Sequence, residues 1–353
     1  MERRISKKIK VGNIYIGGDS KISVQSMTNT DSADFDATYG QIKKLESVGC
    51  DIVRMTVPDM EAVKTIYRLK NSDINIPIVA DIHFDYKMAI EAAYAGADKI
   101  RINPGNIGDE DRVKAVVEAC NSKNIPIRIG VNSGSLEKSI LEKYGRPSGE
   151  ALAESALYHA SLLEKSDFTN IIFAVKSSRV ADMITANRIL AEKTEYPLHL
   201  GVTEAGTVHK GVIKSAAGIG SLLLDGIGDT IRVSLTAEPT EEVREGKAIL
   251  SSLGIVEENG INIISCPTCG RTKIDLIGIA NEFEKRTADL KVSKKIDVAI
   301  MGCIVNGPGE ARECDIGIAG GIGEAVLFKK GQIVRKIDEN RIIDELIEEI
   351  KRM

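Results

Sequence analysis

The side chains best suited to chemistry are three cysteines in the last third of the chain. Cys266 and Cys269 lie in Cys266-Pro267-Thr268-Cys269-Gly270, and Cys303 opens Cys303-Ile304-Val305-Asn306-Gly307-Pro308-Gly309-Glu310. A Cys-x-x-Cys turn aims two thiolates at one centre, and a third must come from another loop. Three thiolates with one variable position suit a soft metal, and both Zn²⁺ and an iron–sulfur cluster meet that description. Zinc ribbons usually offer a second Cys-x-x-Cys, whereas Cys303 stands alone in its loop. Cys314 and Glu310 both qualify by type as a fourth ligand. The glycines after Cys303 expose backbone N–H groups to a metal centre or serve tight turns. Cys50 and Cys120 read as ordinary thiols at the ends of helices.

A second group of reactive side chains is cationic. Ile52-Val53-Arg54-Met55, Ile100-Arg101-Ile102-Asn103, Ile127-Arg128-Ile129-Gly130 and Ile231-Arg232-Val233-Ser234 each set an arginine in an apolar run. Lys176 ends Ile171-Ile172-Phe173-Ala174-Val175-Lys176 in the same way. A buried guanidinium is costly unless a carboxylate or a ligand meets it. Pairing with acids such as Asp81 or Glu204 is one solution. Five cations outnumber those acids, and Arg forks fit phosphate oxygens while Lys adds a point charge. The pattern therefore favours a phosphorylated or diphosphorylated small substrate. Asp81, His83, Asn103, Asn132, His199 and Glu204 fall at the same level of their runs, and acid–base work would draw on this set. His83 and His199 also read as hydrogen-bonded structural histidines. Residues 132–148 form a long connection, either a lid or a passive surface loop.

These side chains need elements to carry them. Strand-like β-branched runs occur at 23–26, 51–57, 76–82, 99–103, 125–131, 170–176, 198–202 and 230–235, as in strands buried on both faces of a parallel sheet. Helical periodicity fills intervals such as 36–48, 87–95, 109–123, 149–165, 179–192 and 240–252. Pro77, Pro126 and Pro197 mark returns to strand. Eight such units predict an α/β fold with an N-terminal (β/α)₈ TIM barrel over residues 1–253, a doubly wound sheet being the alternative. The cations then sit at the C-terminal strand ends, where barrel active sites are built. A linker-like stretch at 253–262 introduces a second, small α/β domain over 254–353. It is expected to hold a strand at 261–264, a helix at 275–286, a strand at 296–301, a Gly-rich loop at 307–323, a hairpin at 325–337 and a closing helix at 339–351, with both cysteine loops at the ends of adjacent strands.

Composition excludes several classes. With 47 Lys and Arg against 51 Asp and Glu the net charge is −4, which argues against nucleic acid as a partner. No apolar run reaches membrane-spanning length. The basic start Met1-Glu2-Arg3-Arg4 lacks an apolar stretch behind it, so no secretory signal is expected, and six cysteines without one point to a reducing, cytoplasmic setting. The core must be built from Ile, Val, Leu and Ala, since there is no Trp and aromatics are 4%.

The combination of Arg101-Ile102-Asn103-Pro104-Gly105-Asn106, Arg128-Ile129-Gly130-Val131-Asn132, Val202-Thr203-Glu204-Ala205-Gly206 and Arg232-Val233-Ser234 with the two cysteine motifs resembles the 4-hydroxy-3-methylbut-2-enyl diphosphate synthases of the non-mevalonate isoprenoid pathway, in their bacterial two-domain form. The likeness spans nearly the whole chain. It implies reductive ring opening and dehydration of 2-C-methyl-D-erythritol 2,4-cyclodiphosphate, with two electrons delivered through one [4Fe–4S] cluster from ferredoxin or flavodoxin. By that resemblance Cys266, Cys269 and Cys303 hold three irons and Glu310, the more easily displaced ligand, holds the fourth. Arg54, Arg101, Arg128, Lys176 and Arg232 anchor diphosphate, Asn103, Asn132, Ser234 and Asn306 make polar contacts, and Asp81 and Glu204 handle protons. It also implies a homodimer in which one chain's cluster domain caps the other's barrel. The alternative is a redox-silent barrel enzyme for a phosphorylated or pterin-like substrate, with a structural zinc site.

Overall fold

The computed structural model describes residues 2–256, 259–288, 290, 292–303 and 311–353. The chain forms two compact units, Met1–Leu253 and Gly254–Met353.

The first unit opens with an antiparallel hairpin, β1 (Ile9–Val11) and β2 (Ile14–Ile16). Its Ile9, Val11 and Ile16 pack on Ile52, Val79 and Ile172, at or near the starts of three barrel strands, and so plug the barrel's N-terminal end. The sequence reading placed no strand here, because three-residue strands are too short to show a period. Eight parallel strands follow: β3 (Ser23–Met27), β4 (Ile52–Thr56), β5 (Ile78–Asp81), β6 (Lys99–Ile102), β7 (Ile127–Asn132), β8 (Ile171–Lys176), β9 (His199–Leu200) and β10 (Thr230–Ile231). The hydrogen-bonded order runs β8-β7-β6-β5-β4-β3-β10-β9, and a parallel bridge between Phe173 and Leu198 closes the ring. The barrel expectation holds, and the doubly wound alternative falls.

Local sequence explains the repeat. The helices α1 (Phe35–Ser47), α2 (Met60–Lys70) and α3 (Tyr86–Tyr94) begin after Asp34, Asp59 and Asp85, each accepting a backbone N–H of the first turn. A short α4 (Pro104–Ile107) precedes α5 (Glu110–Lys123), capped by Asp109, and α6 (Lys138–Tyr144) precedes α7 (Gly149–Glu164), capped by Ser148. Each cap is worth about 1 kcal/mol. Helices α8 (Val180–Lys193), α9 (Val208–Leu224) and α10 (Pro239–Ser252) complete the ring. Helix α1 gives way to Gly49 in the left-handed region (φ 76°), and α3 to Gly96 (φ 101°). An aspartate follows each glycine: Asp51 accepts from the Val24 N–H and Asp98 from the Ile78 N–H, both at 2.8 Å, tying each new strand start to its neighbour.

The second unit is a five-stranded sheet: β11 (Gly260–Ser265), β12 (Lys295–Met301), β13 (Ile316–Gly320), β14 (Glu324–Lys329) and β15 (Gln332–Asp338). The first three are parallel and the rest antiparallel. Helices α11 (Leu276–Thr287) and α12 (Ile342–Lys351) bury Phe283, Leu346 and Ile350 against Val298, Ile300, Ile316 and Ile318. The stretch expected as a Gly-rich loop thus contains a central strand, β13. Its glycines serve close approach: a Cβ on Gly317 would lie 2.6 Å from the Ala299 carbonyl oxygen and 2.5 Å from the Phe328 ring.

Candidate active site

Period-two alternation turns Arg128, Gly130 and Asn132 to one side of β7 and Ile127, Ile129 and Val131 to the other. The same rule on the neighbouring strands gathers Arg54, Asp81, His83, Arg101, Arg128, Asn132, Lys176, Arg232 and Ser234 around one pocket, with Gly130, Ala174 and Thr203. Asp81, buried at 2% exposure, bridges two of the cations. Its Oδ1 accepts from Arg101 Nη1 at 3.1 Å, and its Oδ2 lies 3.6 Å from Arg54 Nε and 3.9 Å from His83 Nε2. Arg54 also turns Nε and Nη2 to the Met27 sulfur, at 3.1 and 2.9 Å. Arg232 makes a bidentate pair with Glu242, Nε and Nη2 each donating at 3.0 Å, and Glu242 is held by the Ser26 hydroxyl.

The remaining cations have no such partner. Arg128 is fully buried, donates from Nη1 to Gln25 Oε1 at 3.2 Å, and leaves Nε and Nη2 without a hydrogen-bond partner among the described residues. Lys176, 6% exposed, meets no carboxylate within ion-pairing distance among them. Burial, and then Arg54 and Arg101, lower the Arg128 guanidinium well below its ordinary value. Burial, and then Arg54 and Arg232, do the same to the Lys176 ammonium. Burial lowers Arg54 to about 10 although Asp81 opposes the shift. Burial works to raise the Asp81 carboxyl, but Arg54 and Arg101 outweigh it and hold Asp81 lowered to about 2. Among the described residues, five cations of the pocket wall thus meet only Asp81 in that wall and Glu242 behind Arg232, and that surplus is what a dianionic or trianionic ligand would neutralise.

Two glycines make the arrangement possible. A Cβ on Gly130 would sit 2.2 Å from Arg101 Nε, and one on Gly201 would sit 3.0 Å from Lys176 Nζ. Gly130→Ala should therefore displace the Arg101 fork without removing a charge. We expect at least about tenfold weaker diphosphate binding, the cost of disturbing one charge-assisted contact, with little change in net charge or helix content. Titration calorimetry checks this, and unaltered affinity would show that Arg101 has room to move.

In the second unit, adjacent strands β11 and β12 carry the cysteines, with Ser265 in register with Ile300. The Gly302 N–H donates to Cys266 Sγ at 3.3 Å, and the Lys273 N–H donates to the Gly302 carbonyl at 3.1 Å, so the two loops are stitched together. The Cys269 N–H donates to Thr272 Oγ1 at 3.2 Å. Cys269 is exposed, and Cys266 and Cys303 are partly exposed. Among the described residues no three His, Cys, Asp or Glu side chains are already drawn into one metal-binding group. The donor set nonetheless fits a thiophilic centre, because the three thiols leave the same end of neighbouring strands and none is fully buried. Metal binding and the final ordering of such ligands are coupled. Cys314, by contrast, is 2% exposed among Ala299, Met301, Ala319 and Phe328.

Residues 6–247 match the family model of the GcpE TIM-barrel domain and residues 262–352 that of the GcpE protein C-terminal domain. The chain belongs to the GcpE family. A GcpE relative from Clostridium perfringens, named 4-hydroxy-3-methylbut-2-en-1-yl diphosphate synthase (flavodoxin), is 59% identical over 351 residues, 99% of each chain. One of the same name from Geobacter sulfurreducens is 52% identical over 348 residues, 99% of this chain and 98% of the relative. Among solved structures, dihydropteroate synthase from Xanthomonas albilineans in complex with 7,8-dihydropteroate superimposes with a TM-score of 0.50 at 13% identity, covering 70% of this chain and 99% of that one. That likeness speaks for the barrel fold alone. Among the described residues no helix is long and apolar enough to cross a membrane.

Not every expected residue of this GcpE chain reaches the pocket. Asn103 spends its amide locally, Oδ1 accepting from the Gly105 N–H and Nδ2 donating to Ser135 Oγ, and it is not part of the pocket wall. Glu204 is exposed beside the wall residue Thr203, in the left-handed region at φ 52°, a strained conformation that clusters at functional loops. Asn306 and Glu310 lie outside the described residues. The 132–148 connection begins with a 3₁₀ turn, Ser133–Ser135, and contains α6. Glu242 and Gln25, partners of two site cations, were missed. Glu242 follows Pro239 in a helix's first turn and reads locally as a solvated acid.

Proposed function

We propose that this chain converts 2-C-methyl-D-erythritol 2,4-cyclodiphosphate to 4-hydroxy-3-methylbut-2-enyl diphosphate by reductive ring opening and loss of water, with flavodoxin as electron donor. The observation that carries this reading is the surplus of buried cations over carboxylates at one barrel mouth, where Arg128 and Lys176 meet no carboxylate among the described residues. The names of relatives 52% and 59% identical over nearly the full chain support it. Arg54, Arg101, Arg128, Lys176 and Arg232 bind and orient the diphosphate, and Asn132 and Ser234 contact it from the pocket wall. Asn103 acts through Ser135 on the adjoining loop, and Asn306 adds a contact from the cysteine loop. Asp81, held as a carboxylate by two guanidiniums, is suited to orienting groups of the substrate. Proton delivery to the departing hydroxyl then falls to Glu204, whose side chain is free in solvent beside Thr203. Cys266, Cys269 and Cys303, with Glu310 as the fourth ligand, would hold a [4Fe–4S] cluster, which supplies electrons one at a time when bound. A homodimer, a cytoplasmic setting and the assignment of substrate binding to residues 1–253 and the cluster to residues 254–353 belong to the same proposal.

The test is iron and acid-labile sulfide analysis of anaerobically purified protein, with turnover of the cyclodiphosphate by reduced flavodoxin. Iron, sulfide and a broad absorbance near about 400 nm are expected. One zinc per chain without sulfide, and activity that survives oxygen, would replace this reading with the structural-zinc alternative.

A further inference from the structure

Below the mouth, the barrel interior holds a second polar layer that meets the mouth at Arg128 and whose other members the proposed reaction leaves unused. Gln25 on β3, Lys99 on β6, Arg128 on β7 and His199 on β9 are all fully buried. Beyond the Arg128–Gln25 contact, His199 Nδ1 lies 3.3 Å from the Thr230 hydroxyl. Gln25 Nε2, Lys99 Nζ, Arg128 Nε and Nη2, and His199 Nε2 have no hydrogen-bond partner among the described residues. The charges that act on Lys99 are Arg128 on β7, Arg54 on β4, and Asp98 at the start of its own strand. Asp98 is already engaged by Lys70 Nζ at 2.8 Å and by the Ile78 N–H. Those that act on His199 are Arg128, Lys176, Lys99 and Arg54, basic side chains on four different strands. An ammonium or imidazolium buried here meets no ion-pairing carboxylate among the described residues, and burying such a charge unpaired is costly. Burial, and then these basic neighbours, lower both groups below their ordinary values, which favours their neutral forms in the free protein.

A bound anion changes that balance. Arg54, Arg128 and Lys176 belong both to the mouth and to the field that keeps the lower layer uncharged. Phosphate oxygens placed on them cancel the repulsion felt by Lys99 and His199. We propose that Lys99 and His199 form an internal proton-accepting layer, which takes up a proton from solvent when the diphosphate group binds at the mouth. The inference rests on the reading of the mouth as a diphosphate site. The proton moves from water to Lys99 Nζ or His199 Nε2, with no other bond made or broken. Because the bound state holds more protons, affinity rises as pH falls, by up to about tenfold per pH unit for each proton taken up.

The experiment is titration calorimetry of the oxidised holoenzyme with the cyclodiphosphate, without reductant, in buffers of different ionisation enthalpy. The phosphate oxygens of this ligand do not titrate near neutrality, so net uptake reports on the protein. Wild type should take up protons, and Lys99→Met and His199→Gln should each take up fewer and show a flatter pH dependence of affinity. Nitrogen resonances of His199 in the native protein, identified by their loss in His199→Gln, should move toward imidazolium on binding, which tests the layer even where a variant fails to fold. Binding with no net uptake, or unchanged uptake in both variants with unmoved His199 resonances, overturns the proposal. Absence of any binding heat would instead overturn the diphosphate reading of the mouth, and this inference with it.

Discussion

Cys303→Ser is expected to lose its iron and at least about 100-fold of its turnover, since an alkoxide is a poor substitute for thiolate at a soft centre. Cys266→Ser and Cys269→Ser should behave alike. The barrel forms a separate compact unit with its own core, so the affinity of the mouth for the cyclodiphosphate should survive in each variant. Cys314→Ser is the informative control. Its thiol is 2% exposed and packed among Ala299, Met301 and Phe328, so the change should cost stability but leave iron content intact. Glu310→Ala should keep the fold and slow turnover. Iron and sulfide determination alongside turnover checks the series. Full iron in Cys303→Ser, or its loss in Cys314→Ser alone, would require a different ligand set.

Asp81→Asn should destabilise the barrel while tightening its grip on anions. Removing one partner of a buried ion pair costs about 3–5 kcal/mol, because the other charges stay buried. Here Arg54 and Arg101 both lose their neutralising carboxylate. The pH dependence carries a sign. The Asp81 carboxyl is lowered from 3.8 to about 2 in the folded protein, so its contribution is fully present above the ordinary value and fades as pH falls toward about 2. Wild type should therefore lose about 2 kcal/mol of its advantage over Asp81→Asn across that window. Urea unfolding of the two proteins between pH 7 and about 2 measures it. At neutral pH the variant should bind the cyclodiphosphate more tightly and turn it over more slowly, since the surplus positive charge grows while an orienting carboxylate is gone. Equal stability at every pH would mean that the guanidiniums find other partners.

Much of the molecule is legible one segment at a time. Strand and helix alternate because β-branched runs and aspartate-capped helical periods follow one another, and both signals are local. Gly49 and Gly96 stand where helices must end in the left-handed region, with Asp51 and Asp98 behind them. The Cys266–Cys269 turn and the strand arginines are local motifs as well, and they point to a soft metal, zinc or iron–sulfur, and to an anionic substrate class. The hairpin β1–β2 and strand β13 escaped because one is too short for a period and the other is rich in glycine for the sake of its neighbours.

What the sequence by itself determined is which residue types lie on which strand. Only the tertiary structure decided which cations are already neutralised. Asp81 meets Arg101 across 20 residues, Glu242 meets Arg232 from a helix, and Gln25 reaches Arg128 across 103 residues. The cost of a buried charge depends on what surrounds it in space rather than along the chain. Barrel closure brings strands β3 to β10 around one axis, leaving Arg128 and Lys176 without an ion-pairing carboxylate among the described residues and Lys99 Nζ and His199 Nε2 beneath them without a hydrogen-bond partner there.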